Sequence, residues 1–436
     1  MSKLPELFAC IYAKEFPVQA LLRLRPDIGS QACVVLDGEP PQQTVCSLNP
    51  RARILGAERG MTLVGVETLP PLHILTRGEK QEAAAKTVLL ECTGAFSPRV
   101  EDRSIDNAFI AVIDITGTGS LFGPPDQLAK TLLHRVRALG ISAVVAASGN
   151  FHAAVSLAKG LSGKSQVQIV PHGREQEALA PFPISVLDLS ETQAETFNLW
   201  GINSLGMLAN LPEKELASRM GQEGKRLRQL ARGEAPHLFQ PVEPPFTLEE
   251  RIELDSPVEL LDSLMFVTGV MLEQLTFRAE SRLVALRSVT ITLSLEGDAT
   301  YIRTVRPALP SNDRDLWLKL LHLDLEAHPP LAAILSLTLA AEPGQTSKVQ
   351  LGLFSPQLPE PGRLDITLAR IAKIVGEGNV GCAVLRDTHH PEGFRIERFV
   401  VPSDEPKECH VTSTNAVLRA LRPAESVHLT LNSHGP

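Results

Sequence analysis

The sequence predicts a multidomain chain of mixed α/β and α+β class, and three observations carry that expectation. Its 436 residues exceed what one hydrophobic core supports, so two to four domains are expected. From Leu7 to about Val170, apolar strand-like runs alternate with helix-periodic stretches, the pattern of a sheet backed by helices. Beyond a proline-rich joint at 236–246 (PHLFQPVEPPF), the pattern changes to one long apolar-periodic helix followed by strands with clear alternation.

The first domain, 1–170, takes its strands from Ala32–Leu36, Ala108–Ile115 and Ala143–Ala147 and a helix from Pro125–Leu139. The segment Leu187–Arg232 turns to short helices punctuated by Gly and Pro (LWGINSLGMLANLP, RMGQEGKRLRQLARGEAP), which predicts a small helical domain over 171–240. In the third domain, 241–345, FTLEERIELDSPVELLDSLMFVTGVMLEQL predicts a long helix beginning near Ser256. Strands follow in SVTITLSLEG (288–297) and AILSLTLAAE (333–342). A Pro- and Gly-rich run makes 346–362 a linker. The remainder, 363–436, holds one amphipathic helix, Arg363–Val375, with Leu364, Leu368, Ile371, Ile374 and Val375 along one stripe. Its polar last ~30 residues are expected to be disordered. No internal repeat is visible.

Bulk properties narrow the function. Hydrophobic residues make up 43% of the chain, but no run approaches the ~20 consecutive apolar residues of a membrane span, so no membrane association is expected. The start, MSKLPELFACIYAKEF, lacks the basic and apolar regions of an export signal, which points to a cytoplasmic location. Six cysteines (Cys10, Cys33, Cys46, Cys92, Cys382, Cys409) contain no C-x-x-C pair, against structural zinc and against a disulfide scaffold. A net charge of −8 is a poor basis for gripping DNA, whose affinity rests on Lys and Arg neutralising phosphates. The region 241–345 is the acidic part, with 8 Lys/Arg against 16 Asp/Glu. The turn GTGSLFG (117–123) fails the dinucleotide-loop spacing because its third glycine comes one residue late. His389-His390 lack a third ligand at suitable spacing and read as a turn before Pro391. No cofactor and no metal are expected.

The most informative stretch is Val100–Gly117, VEDRSIDNAFIAVIDITG. It resembles the metal-binding block of the Y-family translesion DNA polymerases, V-E-x-x-S-I-D-E-A-F-L-D-V-T-G, whose Asp-Glu pair helps hold two Mg²⁺ ions. The pair here reads Asp106-Asn107. Anchoring the match on IDITG instead moves Phe109 and Ile110 into those slots, and neither alignment completes the site. Asp114 then reads as a strand-end residue before the ITGTG turn. The family's first palm motif, D-x-D-x-F-[FY], falls on Tyr12, Lys14 and Phe16-Pro17. A phenol with a pKa of about 10 stays protonated near neutral pH, and Lys14 adds a positive charge where a metal ligand is needed.

The fingers motif of the family, S-Y-x-A-R-x-x-G-V-x-x-G-M, appears as NPRARILGAERGM from Asn49 to Met61. Ala52, Arg53, Gly56, Gly60 and Met61 stand in register, while the Ser-Tyr pair is replaced by Asn49-Pro50. Arg53 can meet a phosphate by charge, although a lone helix arginine is more often simply solvated. The thumb's G-x-G phosphate turn falls on Asp188-Leu189-Ser190, where an aspartate repels phosphate. Arg219, Lys225, Arg226, Arg228 and Arg232 are the candidate compensating DNA-binding face, with a solvated helix surface as the alternative.

The resemblance spans roughly residues 7–400 and rests on the collinearity of these motifs. It implies a right-handed polymerase-like architecture of palm and fingers, helical thumb and α+β little finger, with a C-terminal extension. It also implies a degenerate centre at Tyr12, Lys14, Asp106 and Asn107 with no catalytic residue. Gln350-Leu351-Gly352-Leu353-Phe354 matches the bacterial sliding-clamp-binding pentapeptide Q-L-x-L-F. In such a segment Leu353 and Phe354 fill an apolar pocket while Gln350 orients the peptide. The alternative for VQLGLF is an ordinary edge strand. The partners implied are the sliding clamp, a RecA-like accessory mutasome subunit, an error-prone replicative-type DNA polymerase and, weakly, primer-template DNA. Two rival expectations are an active translesion polymerase with an atypical metal site and an unrelated α/β metabolic enzyme. The second lacks any nucleophile, base and orienter signature.

Overall fold

The computed structural model describes residues 5–161, 165–243, 246–345, 361–376, 379–386 and 393–397. The first unit runs β1 (Phe8–Lys14), α1 (Phe16–Leu22), α2 (Pro26–Gly29), β2 (Cys33–Asp37), β3 (Thr44–Leu48), α3 (Pro50–Ile54), α4 (Leu63–Glu67) and β4 (His73–Thr76). It continues with α5 (Glu79–Gly94), β5 (Val100–Asp102), β6 (Ala108–Asp114), α6 (Gly119–Phe122), α7 (Pro125–Ala138), β7 (Val144–Ser148), α8 (Phe151–Gly160) and β8 (Val167–Ile169). Five of these strands form one sheet in the order β5-β6-β1-β7-β8, antiparallel except for the parallel pair β7–β8.

Alternation along β1 divides this unit into two cores. Ala9, Ile11 and Ala13 face α5 and α7, packing with Leu89, Leu132 and Val136. Phe8 and Cys10 face the opposite side, with Phe151 and Leu157 of α8. With both faces covered, the strands need apolar residues at every position, which is why β6 reads as a continuous apolar run. A smaller sheet, β3-β2-β4, sits beside it and closes its own core from Val34, Leu36, Val45, Leu48, Ala52 and Val66.

Four helices, α9 (Glu175–Leu179), α10 (Glu191–Leu199), α11 (Leu205–Ala209) and α12 (Glu213–Arg232), cover the second face of the large sheet through Phe197, Leu205 and Leu227. Ser190 starts α10 with a reciprocal capping box to Gln193, so the Asp188-Leu189-Ser190 turn is spent on helix initiation.

The next unit contains β9 (Leu248–Val258), α13 (Leu261–Ser281), β10 (Val284–Leu295), β11 (Thr300–Val305), α14 (Arg314–Ala327) and β12 (Ile334–Gln345). Its antiparallel sheet, β11-β10-β12-β9, packs on α13 and α14 around Trp317, whose indole N–H donates to the Ser311 carbonyl at 2.9 Å. Here the sequence expectation needs correcting. The long helix begins at Leu261, not near Ser256, and Ser256-Pro257-Val258 close a strand. Leu248, Glu250 and Ile252 are buried in strict alternation, a period-2 signal that the helical reading overran. Pro257 is tolerated because β9 is an edge strand.

The expected amphipathic helix is present as α15 (Pro361–Val375). It lies on α14, where Lys373 meets Glu326 at 2.5 Å, and its Asp365 accepts the N–H of Ala308 in the loop before α14 at 2.9 Å. Leu364 and Leu368 are half-buried, whereas Ile371, Ile374 and Val375 are exposed. Two further strands, β13 (Cys382–Leu385) and β14 (Phe394–Glu397), pair antiparallel. The clamp-motif residues Gln350, Leu351, Leu353 and Phe354, together with His389-His390, Cys409 and the polar end, lie outside the described residues.

The β9–β12 unit is fastened to the first unit by buried ions. Glu250 of β9 meets Arg23, which follows α1, and Arg278 of α13 at 2.8 Å; Arg278 also meets Glu91 of α5 at 2.5 Å. All four side chains are no more than 3% exposed. Burial alone pushes the Glu250 carboxyl up, but the guanidiniums of Arg23 and Arg278 more than offset it and hold the group below its ordinary value. Leu24 enters the core around Trp317, and Phe277 packs against the core beneath α5 and α7.

Candidate functional site

The candidate site gathers where β1 ends beside the turn joining β5 to β6. The register pairs Tyr12 with Ile110 and Lys14 with Ala108, so Asp106-Asn107 occupy the turn next to the Lys14 end of β1. Phe109 and Ile110, the alternative occupants, are buried within β6. Asp114 sits at the other end of that strand, accepting the Thr116 N–H at 3.0 Å and pairing with Arg99 at 2.8 Å.

Asp106 and Lys14 are exposed, Tyr12 is half-buried, and Asn107 gives its backbone carbonyl to Phe16 N–H at 3.0 Å. The Asn107 Oδ1 is buried without a hydrogen-bond partner. Burial pushes the Tyr12 phenol up from its ordinary value, with Arg59 opposing and Glu15 and Asp188 reinforcing the shift. Tyr12 therefore stays neutral near pH 7. The donors at the strand ends are one carboxylate, one amide, a neutral phenol and an ammonium. They do not fit a pair of Mg²⁺ ions, which need several converging anionic oxygens. Among the described residues, no three His, Cys, Asp or Glu side chains are grouped to hold a metal.

Glu15, which the sequence reading passed over, occupies the centre of the neighbouring fingers motif. It has φ 54° and is 8% exposed. Its carboxylate accepts from Arg53 at 2.7 Å, Arg59 at 2.8 Å, the Ser47 hydroxyl at 3.0 Å and the Leu48 N–H at 3.3 Å. Arg53 is thus neither simply solvated nor isolated. Asn49 serves the fold, with its Oδ1 capping α3 through the Ala52 N–H at 3.0 Å. Gly56 and Gly60 adopt φ 94° and 81°, which explains glycine at those two positions.

The candidate basic face is largely neutralised by its own neighbours. Lys225 and Arg228 meet Glu213 at 3.6 and 3.4 Å, Arg226 meets Glu223 at 2.7 Å, and Arg232 meets Glu234 at 2.9 Å. Arg219 stacks over Trp200 at 5.3 Å. Asp188, at the expected phosphate turn, pairs with Lys159 at 2.7 Å.

A cleft of about 320 Å³ opens between the β5–β6 turn, α8 and α12, lined by Arg103, His152, Lys159, Asp188 and Arg226. Burial, followed by the charges of His237, Arg103 and Arg226, pushes His152 down to about 4. Since the unfolded chain takes up this proton near pH 6.5, the contribution of neutral His152 is present above that pH and is lost as pH falls toward about 4. Denaturant unfolding at a series of pH values should show a shallower acid loss in His152→Gln than in the unaltered chain. Parallel curves would exclude His152 as a source.

The five-stranded sheet, the turn carrying Asp106-Asn107 and the adjoining Asn49–Met61 segment make up one mixed α/β unit. The impB/mucB/samB family model matches residues 11–159. The chain is similar to Protein ImuB of Caulobacter vibrioides, 27% identical over 349 residues, covering 78% of this chain and 72% of that protein. It is also similar to DNA polymerase IV of Desulfatibacillum aliphaticivorans, 27% identical over 296 residues, covering 66% and 72%. DNA polymerase IV of Dehalococcoides mccartyi is 30% identical over 216 residues, 48% of this chain and 54% of that one. Among solved structures, DinB from Sulfolobus solfataricus aligns at 15% identity with a TM-score of 0.47, over 77% of this chain and 98% of that one.

Proposed function

We propose that the chain is a non-catalytic, polymerase-shaped adaptor linking the sliding clamp to an error-prone polymerase in translesion synthesis, DNA repair and damage-induced mutagenesis. One observation carries this reading: Tyr12, Lys14, Asp106 and Asn107 offer a single carboxylate where two-metal phosphoryl transfer requires several. In this reading 1–170 are palm and fingers, 171–240 a thumb and 241–345 a little finger. The clamp contact comes from Gln350, Leu351, Leu353 and Phe354. The C-terminal region, 363–436, recruits a RecA-like accessory mutasome subunit and an error-prone replicative-type polymerase. Arginines engaged with glutamates along α12 support weak rather than strong contact with primer-template DNA.

The relatives named DNA polymerase IV favour a second reading, an active translesion polymerase with an atypical metal site. Primer extension with Mg²⁺ or Mn²⁺ separates the two. The unaltered chain and Asp106→Ala are expected to give the same absence of incorporation. Incorporation that disappears in Asp106→Ala would establish the polymerase and end the adaptor reading.

A further inference from the structure

Glu15 makes an arrangement that its place in a strand-to-helix turn does not require. Two guanidiniums, a hydroxyl and a backbone N–H converge on one carboxylate, with Arg53 on Oε1 and Arg59, Ser47 and Leu48 on Oε2. The donors come from separate elements: Ser47 and Leu48 from β3, Arg53 from α3 and Arg59 from the loop beyond it. Ser47 is fully buried and is held by accepting the Val18 N–H at 3.3 Å. The two arginines form the outer wall, with side chains 53% and 39% exposed, while the carboxylate at the base is 11% exposed. The turn also accepts a left-handed backbone at Glu15, a conformation uncommon for a residue with a side chain.

Such a donor set suits a phosphoryl group as well as a carboxylate, because both present several anionic oxygens to forked N–H donors. We infer that this is an oxyanion cradle facing solvent and that Glu15 is its internal ligand, so that the chain carries a phosphate-binding site filled by its own side chain. This deepens the non-catalytic reading, since it closes the anion site independently of the metal donors. The cradle is open from the arginine side. Removing the carboxylate frees the Ser47 hydroxyl, the Leu48 N–H and the two guanidiniums to receive an external oxyanion.

The test uses the full chain and inorganic tripolyphosphate, followed by calorimetry without DNA or divalent metal. Glycine suits φ 54°, so Glu15→Gly empties the cradle while relaxing the turn, and Glu15→Gln keeps the shape while removing the charge. Both variants are expected to bind tripolyphosphate at least about tenfold tighter than the unaltered chain, the scale of one charge-assisted hydrogen bond. Adding Arg53→Gln and Arg59→Gln to Glu15→Gly should abolish the gain. A folded Glu15→Gly or Glu15→Gln that binds no more tightly than the unaltered chain overturns the inference, as does a gain that survives loss of both arginines. Should neither variant fold, the unaltered chain still decides. Its Arg53 and Arg59 Nε–H resonances should stay in place as tripolyphosphate is added, and saturable displacement would overturn the inference. Because no primer is present, failure here leaves the primer-extension result untouched.

Discussion

Glu250→Gln is expected to lower folding stability by about 3–5 kcal/mol, the scale of breaking a buried ion pair from one side. The arginines at Glu250 and the carboxylate at Glu91 lie in an interface with almost no exposed surface. Removing the one carboxylate that both guanidiniums share leaves two buried cations with a single remaining anion. Arg278 retains Glu91 and the Glu249 carbonyl, so the larger penalty falls on Arg23. Denaturant unfolding should show a lowered midpoint, and limited proteolysis should show faster cleavage around 236–247, where the two units join. An unchanged midpoint would show that water reaches the network. The same group sets an acid limit. Because its folded value lies below the ordinary 4.5, its stabilisation is complete above that pH and is lost as pH falls through the lowered value.

Replacing Leu353 and Phe354 together by alanine is expected to weaken clamp binding by about 2–4 kcal/mol, roughly 30- to 1,000-fold. A short extended peptide concentrates its affinity in a few apolar anchors, and alanine removes both while leaving the Gln350 hydrogen bonds available. On the docking reading, unfolding of the described units should be unaffected. Surface binding to immobilised clamp reads the first effect and thermal unfolding the second. Undiminished clamp binding would remove the pentapeptide from the proposal. A parallel loss of stability would instead identify VQLGLF as a structural strand.

Local signals in the sequence located strands whose burial on both sheet faces leaves continuous apolar runs, such as Ala108–Asp114. They failed at Leu248–Val258, where a period-2 stretch rich in glutamate abuts a helix and one of its glutamates faces inward. The candidate site was legible in composition but not in register. The register that pairs Phe109 and Ile110 with β1 and leaves Asp106-Asn107 in the adjoining turn depends on long-range pairing, which a single chain does not reveal. Glu15 was missed for the same reason. Its partners Ser47, Arg53 and Arg59 are 32, 38 and 44 residues away, and only Arg59's place between Gly56 and Gly60 hinted at a second guanidinium near Arg53.

The attachment of α15 to α14 changes the geometry available to the proposed docking peptide. The chain leaves the β9–β12 sheet at Gln345 and is fixed again from Pro361, with Asp365 and Lys373 holding the helix to the same unit. On the docking reading, the pentapeptide falls in the sequence between two anchored segments rather than beyond the last of them. Fully extended, residues 346–360 span only about 50 Å, so their midpoint can stand no more than about 25 Å from the unit that holds both ends. A clamp bound there would be kept at short leash, and its orientation relative to the four-stranded sheet would be restricted before any further partner arrived.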